Sequence, residues 1–140
     1  MRLSVFIPES SPQLFIDLQK LYQGYLCEQD LSIEVLTKRI DNPQSLFFVT
    51  LFNARHLGAI EVVVDNNSAH LSDLCVRDIT RRRGVGKNLL REVEKYLIGK
   101  NIKTVILPLA NIKDDEQAGV TLFMQTCGYQ LINANFMKKL

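Results

Sequence analysis

The chain has 140 residues, of which 46% are apolar and 23% charged, with a formal net charge of +2. That length bounds one domain, residues 1–140, with a sizeable core, and the composition excludes a disordered chain. The near-neutral balance argues against general nucleic-acid binding, and much of the positive charge is gathered in Arg81–Lys87, which points to one anion site.

Met1 to Pro8 does not have the shape of a signal peptide, and no apolar run approaches the length of a membrane span. Cys27, Cys75 and Cys127 are odd in number and lack Cys-x-x-Cys spacing, which fits free thiols in a reducing cytoplasm. His56 and His70 have no metal-ligand spacing, so no metal site is expected.

In chain order, Arg2 to Ile7 alternates as a first strand ended by Pro8. Ser11-Pro12 starts a helix with a capping hydroxyl and a proline at the first helical position. Leu14, Leu18, Leu21 and Tyr22 share one face of that helix, which is expected to stop near Gly24. A second helix is expected over Ser32 to Ile40, with Ile33, Leu36 and Ile40 as its apolar stripe and Asn42-Pro43 as its stop. Leu46 to Phe52 and Leu57 to Val64 read as strands joined by a turn around Asn53 to His56, and Asn66-Asn67 turns into a third strand, Ala69 to Val76.

A helical run, Asn88 to Leu97, follows, with Leu89, Leu90, Val93 and Leu97 inward, Lys87, Arg91 and Lys95 outward, and Gly99 as its stop. Lys103 to Leu107 is a short strand ended by Pro108, and Asn111 to Gln117 is an acidic loop. Ala118 to Cys127 is a last helix stopped at Gly128, and Phe136 to Leu140 is expected to close the sheet at its edge. The fold class is α+β (mixed α/β).

Between the third strand and the helix after it lies Arg81-Arg82-Arg83-Gly84-Val85-Gly86-Lys87. Two glycines let a ligand approach the backbone. The first helical turn offers N–H groups without intrahelical partners, and the helix dipole and three arginines also favour an anion. The stretch reads as a pyrophosphate cradle, with a basic, solvated turn bearing a glycine at each bend as the plain alternative. It is not a P-loop, since Gly-x-x-x-x-Gly-Lys-Ser/Thr is absent, and it lacks the third glycine of a dinucleotide fingerprint and the kinase signatures.

Arg81, Gly84 and Gly86 match Arg/Gln-x-x-Gly-x-Gly/Ala, the acyl-coenzyme A signature of the GCN5-related N-acetyltransferases (GNAT). The order of elements resembles that acyl-CoA N-acyltransferase fold, a central, mostly antiparallel sheet flanked by helices, along nearly the whole chain. The resemblance implies acetyl-CoA or CoA as cofactor. It also implies a strand before the cradle that splays from the next, so that Leu74, Cys75 and Val76 face the pantetheine. Thr80, Arg81, Arg82, Arg83, Gly84, Val85, Gly86 and Lys87 would wrap the pyrophosphate. For Cys75 a second role, as a small buried hydrophobe, stays open.

Ile16-Asp17-Leu18-Gln19-Lys20, Phe52-Asn53, Leu74 to Gly86, and Phe123-Met124-Gln125 followed by Gly128 and an aromatic resemble one branch of the superfamily, PanZ or PanM. That branch matures and regulates aspartate 1-decarboxylase. The resemblance implies binding to the decarboxylase proenzyme, promotion of its self-cleavage to the pyruvoyl form, and a response to coenzyme A supply. Asn53, Arg77 and the cradle arginines would face this partner. Leu51 stands where the branch has an arginine, so one partner-facing charge is absent.

Acetyl transfer to an amine needs a base, and usually an acid for the leaving thiolate. Where members of the fold often place a tyrosine acid, four residues before the glycine that ends the last helix, this chain has Met124, which cannot donate a proton. Tyr129 is the nearby alternative. Glu61, Asp73, Asp114, Asp115 and Glu116 are candidate bases, each with a plain alternative as a solvated or ion-paired carboxylate. No catalytic residue is assigned. Two functions follow, an acetyl-CoA-sensing regulator of the decarboxylase and a conventional N-acetyltransferase acting on a small-molecule or protein amine. A nucleotide or RNA binder using Arg81 to Arg83 is a third.

Overall fold

The computed structural model describes residues 2–77 and 84–140. Among them, seven strands form one sheet: β1 (Ser4–Phe6), β2 (Leu46–Phe52), β3 (Arg55–Asp65), β4 (Ser68–Val76), β5 (Thr104–Pro108), β6 (Gln130–Ile132) and β7 (Asn135–Lys139). The sheet order is β1-β2-β3-β4-β5-β7-β6, and every neighbouring pair is antiparallel except β4 with β5. Four helices flank it: α1 (Pro12–Leu21), α2 (Ile33–Asp41), α3 (Val85–Gly99) and α4 (Gln117–Thr126).

Alternating side chains of the central strands divide the core in two, because successive residues of a strand face opposite sides. On one side Phe48, Ile60, Val62, Ala69 and Leu71 pack with Leu89, Leu90, Val93 and Leu97 of α3 and Met124 of α4. On the other, Phe47, Val49, Ala59 and Cys75 pack with Leu14, Leu18, Leu21 and Tyr22 of α1 and the following turn, and with Leu36 of α2. The Ser11 hydroxyl caps α1 by accepting from the Leu14 N–H at 3.1 Å, and Ser32 caps α2 through the Val35 N–H at 3.2 Å.

The structure corrects or adds to the sequence reading in five places. Ile33 does not belong to the buried stripe of α2; it is 58% exposed. Residues Glu28–Leu31 form a 3₁₀ turn that no periodicity announced. The acidic loop holds a 3₁₀ turn, Asp114–Glu116, and another, Leu109–Asn111, leads into it. Helix α3 begins at Val85, so Gly86 and Lys87 are helical rather than part of the turn. Finally, Asn135–Lys139 is an inner strand and β6 forms the edge. The β6–β7 hairpin turns on Asn133 and Ala134, both at positive φ (49° and 63°), the geometry of a two-residue turn whose usual glycine signal is missing here.

Candidate functional site

The parallel pairing of β4 with β5 covers only Ser68–Thr104, Ala69–Val105 and His70–Ile106. Beyond it, Leu71–Val76 has no strand partner on that side among the described residues, so backbone polar groups of β4 border a gap. Within this stretch β4 carries a bulge: Ala59 pairs with Cys75 but Glu61 with Ser72, so Asp73 and Leu74 together oppose Ile60. Asp73 sits at φ +53°. The Tyr22 hydroxyl holds the bulge by donating to the Asp73 carbonyl at 2.6 Å. The extra residue shifts the alternation of β4, turning Cys75 into the core beside α1, where its thiol donates to the Leu21 carbonyl at 3.2 Å. Leu74 packs against the opposite core. Cys75 is therefore a buried small hydrophobe, and what it can offer the gap is backbone.

Helix α3 starts at the mouth of this gap. Gly84 caps it at φ +81°, a conformation that disfavours side chains, and the Asn88 N–H donates to its carbonyl at 2.9 Å. Among the described residues no side chain caps this helix end, so N–H groups of its first turn are placed to meet an anion. Gly86 is required for another reason. A β-carbon there would lie 3.1 Å from Phe123 Cζ on α4 and 3.5 Å from Val76 Cγ2 on β4. That close approach seats the first turn of α3 against the end of β4. Val85 is buried and Lys87 exposed.

Leu74, Cys75, Val76, Gly84, Val85, Gly86 and Lys87 are thus brought together. Thr80, Arg81, Arg82 and Arg83 lie outside the described residues. A strand with open backbone polar groups running into an uncapped helix start fits an amide-bearing arm that ends in an anion, the chemistry of pantetheine and pyrophosphate.

The candidate bases on the meander are engaged. Arg39 of α2 donates from Nη2 to Glu61 Oε2, and to Asp73 Oδ2 at 2.6 Å, with its guanidinium 5.7 Å from the centre of the Phe47 ring. Burial works to lower the Arg39 pKa, but hydrogen bonds and charge from Asp73 and Glu61 outweigh it and hold the group above its ordinary value. Asp114 and Asp115 are exposed and Glu116 is half-buried. Met124 is fully buried.

Tyr129 is buried too. Its hydroxyl donates to Glu94 Oε2 at 2.8 Å, and Lys138 Nζ donates to Glu94 Oε1 at 2.8 Å and to the Cys127 carbonyl at 3.0 Å. Burial and the adjacent Glu94 carboxylate push the Tyr129 hydroxyl far above the usual tyrosine range. Such a group holds its proton and is poorly matched to acid catalysis near neutrality. Arg39 and Glu94 were not singled out from sequence. The available signal was position: Arg39 lies three residues after Leu36, and Glu94 directly follows Val93, each beside its helix's buried face.

Asn53 is exposed at the tip of the β2–β3 hairpin, at φ +49°. Arg77 is exposed just past β4, its N–H donating to the Leu57 carbonyl at 2.8 Å. Beside them is a second set that sequence reasoning did not predict. Asp17 of α1 accepts at Oδ2 from the His56 N–H (2.9 Å) and pairs there with His56 Nδ1 (2.7 Å). At Oδ1 it accepts from Gln13 (2.8 Å) and Arg55 (3.3 Å).

No helix among the described residues is long and apolar enough to cross a membrane. Among them there is also no group of three His, Cys, Asp or Glu side chains able to hold a metal ion. A family model described as "Acetyltransferase (GNAT) domain, PanZ" matches residues 4–137. The PanD regulatory factor of Salmonella typhimurium is 33% identical over 130 residues, 92% of each chain. That of Escherichia coli is 32% identical over the same share. In three dimensions the solution structure of an E. coli putative N-acetyl transferase, YhhK, bound to coenzyme A, aligns over the full length of both chains with a TM-score of 0.77 and 28% identity. The chain belongs to the PanZ family of GNAT-fold proteins.

Proposed function

We propose that this PanZ-family chain, as a single domain, binds acetyl-CoA or CoA in the β4–α3 cleft. We further propose that it promotes and regulates self-cleavage of the aspartate 1-decarboxylase proenzyme in the cytoplasm, without acetyl transfer of its own. One observation carries the proposal: the match to PanZ runs from residue 4 to residue 137, and the two PanD regulatory factors align with 92% of the chain. Coenzyme A on the E. coli YhhK structure supports the ligand, and the thiols of Cys27, Cys75 and Cys127 support a reducing compartment.

The described residues that would hold the ligand are Leu74, Cys75 and Val76 through their backbone, and Gly84, Val85, Gly86 and Lys87 at the start of α3. Thr80 to Arg83 are proposed to complete the cradle. The ligand supplies an acyl thioester and a pyrophosphate anion. Around it this chain orients and binds, but its own proton-transfer groups are committed elsewhere: Glu61 and Asp73 to Arg39, Tyr129 to Glu94. Of the candidate bases, that leaves a conventional acetyltransferase the Asp114–Glu116 turn, where Asp114 and Asp115 are exposed and Glu116 is half-buried.

Asn53 and Arg77 are proposed to face the proenzyme. Arg77 directly follows Val76, so ligand strand and partner surface are continuous in the chain. Ligand binding can then tighten the partner to the extent that it favours one arrangement of this border. The test mixes the protein with uncleaved decarboxylase, with and without acetyl-CoA, and follows cleavage by intact mass. Acceleration only with both present is expected. An unchanged cleavage rate with acetyl-CoA demonstrably bound would refute the proposal.

A further inference from the structure

Lys20 and Asp17 of α1, Arg55 and His56 of β3, and Arg77 line a pocket of about 220 Å³. It is too small for a cofactor of coenzyme size, and of a scale to admit one side chain or one small acid. Among the described residues that line it, three carry permanent positive charge and one is a carboxylate. That carboxylate has no acceptor capacity left for a cationic ligand, since the Asp17 oxygens already take Gln13, Arg55, the His56 N–H and the His56 ring.

Burial would raise the Asp17 pKa, but the bonds from His56 and Gln13 overcome it and hold the group below the usual carboxylate value, so it stays ionised. The Arg55 guanidinium spends one nitrogen on Asp17 and is 52% exposed, leaving part of its donor fork for a ligand. His56 is buried and fixed by its two bonds to Asp17, so one wall of the pocket is rigid.

We infer that this pocket receives a carboxylate of the partner protein, held by the Arg55 fork with Lys20 and Arg77 alongside. The inference rests on the proposed protein–protein function, and the pocket opens next to the hairpin tip that carries Asn53. An arginine fork and a carboxylate make the stronger, directional kind of charged hydrogen bond, so the pocket sets register as well as affinity.

The test is calorimetric titration of the acetyl-CoA-loaded protein with uncleaved decarboxylase, for wild type, Arg55→Gln and Lys20→Gln. Lys20→Gln removes an exposed side chain and keeps the test valid if Arg55→Gln disturbs folding. Each substitution is expected to weaken binding about tenfold, and the wild-type affinity to fall with added salt more steeply than that of either variant. Affinities within twofold of wild type for both variants overturn the inference while leaving the proposed function standing.

If wild type does not bind the proenzyme at all, the proposed function falls and the partner with it. A succinate titration of the protein alone, read on the His56 ring resonances, then judges the pocket. A saturable shift lost in Arg55→Gln assigns it to a free carboxylate. No shift removes the pocket as a carboxylate site.

Discussion

Arg39→Leu removes the cation that α2 inserts between Glu61 and Asp73 and leaves two carboxylates facing each other in a mostly dry place. Breaking a buried pair by deleting one partner costs about 3–5 kcal/mol. The side chains keep some solvent contact, 19% for Arg39, 16% for Glu61 and 27% for Asp73. That screening trims the expected loss to about 2–3 kcal/mol. For a chain of this length it corresponds to a fall in Tm of roughly 8–12 °C. Urea unfolding followed by far-UV circular dichroism measures the loss directly, with a constant m-value as the check on two-state behaviour. The triple variant Arg39→Leu, Glu61→Gln, Asp73→Asn carries no uncompensated charge and is expected to regain at least half. Asparagine also tolerates the positive φ of Asp73. A single variant within 0.5 kcal/mol of wild type, or a triple variant no better than the single, would show that the cluster is not held by this charge balance.

Tyr129→Phe is expected to lower stability by about 1–2 kcal/mol, since it removes a buried hydrogen bond to a carboxylate that Lys138 still neutralises, and to leave acetyl-CoA affinity unchanged. An assay that found acetyl transfer in wild type and a hundredfold loss in this variant would make the tyrosine a catalytic acid after all. Asp17→Asn tests the pH linkage. The folded-state pKa of Asp17 is depressed, so its contribution is full above the unfolded carboxylate pKa and is lost as pH falls through the lower folded value. Between about pH 7 and pH 3, wild type should therefore lose more stability than Asp17→Asn; equal slopes in a urea series would contradict the shift. Gly86→Ala presses a methyl group to 3.1 Å from Phe123 Cζ and should cost about 1–2 kcal/mol, with Phe123→Leu restoring much of it. Gly84→Ala, where the strain is in φ and the space is open, should show no such rescue.

What could be read in the sequence was what depends on near neighbours. The faces Leu14–Leu18–Leu21–Tyr22 and Leu89–Leu90–Val93–Leu97 repeat at helical spacing, and all eight side chains are buried. Ser11-Pro12 caps its helix through a residue three positions away. The glycines of the cradle announced the start of α3, although Gly86 answers to Phe123, 37 positions further on, which no local pattern reveals. What could not be read depends on distant pairs. Arg39 meets residues 22 and 34 positions away, Asp17 meets His56 at 39, and Glu94 meets Lys138 at 44. The β4 bulge escaped for a related reason. Strand alternation predicts side-chain direction only while the register holds, and the shift at Asp73 is set by pairing with β3. The outer hairpin escaped because Gln130–Ile132 is exposed throughout and its turn has no glycine.

Under the proposed function, these observations give a physical account of how a fold can keep a ligand and lose a reaction. The proposed cleft is built from backbone: the unpaired side of β4, the bulge held by Tyr22, and the uncapped start of α3. Most substitutions leave backbone donors in place, so such a site persists as long as Gly84 and Gly86 allow the geometry. Acid–base chemistry instead needs particular side chains, each with a free proton or lone pair aimed at the substrate. Met124 has no proton to donate, the Tyr129 hydroxyl is hydrogen-bonded to Glu94, and the facing oxygens of Glu61 and Asp73 are held by one guanidinium. An arginine that bonds to both carboxylates also fills the space between them, so restoring a base would require emptying that space as well as freeing a carboxylate. Arg39→Leu therefore bears on the proposed function too: a variant that lost stability and showed acetyl transfer not seen in wild type would identify this side chain as the group that withholds the meander carboxylates from catalysis.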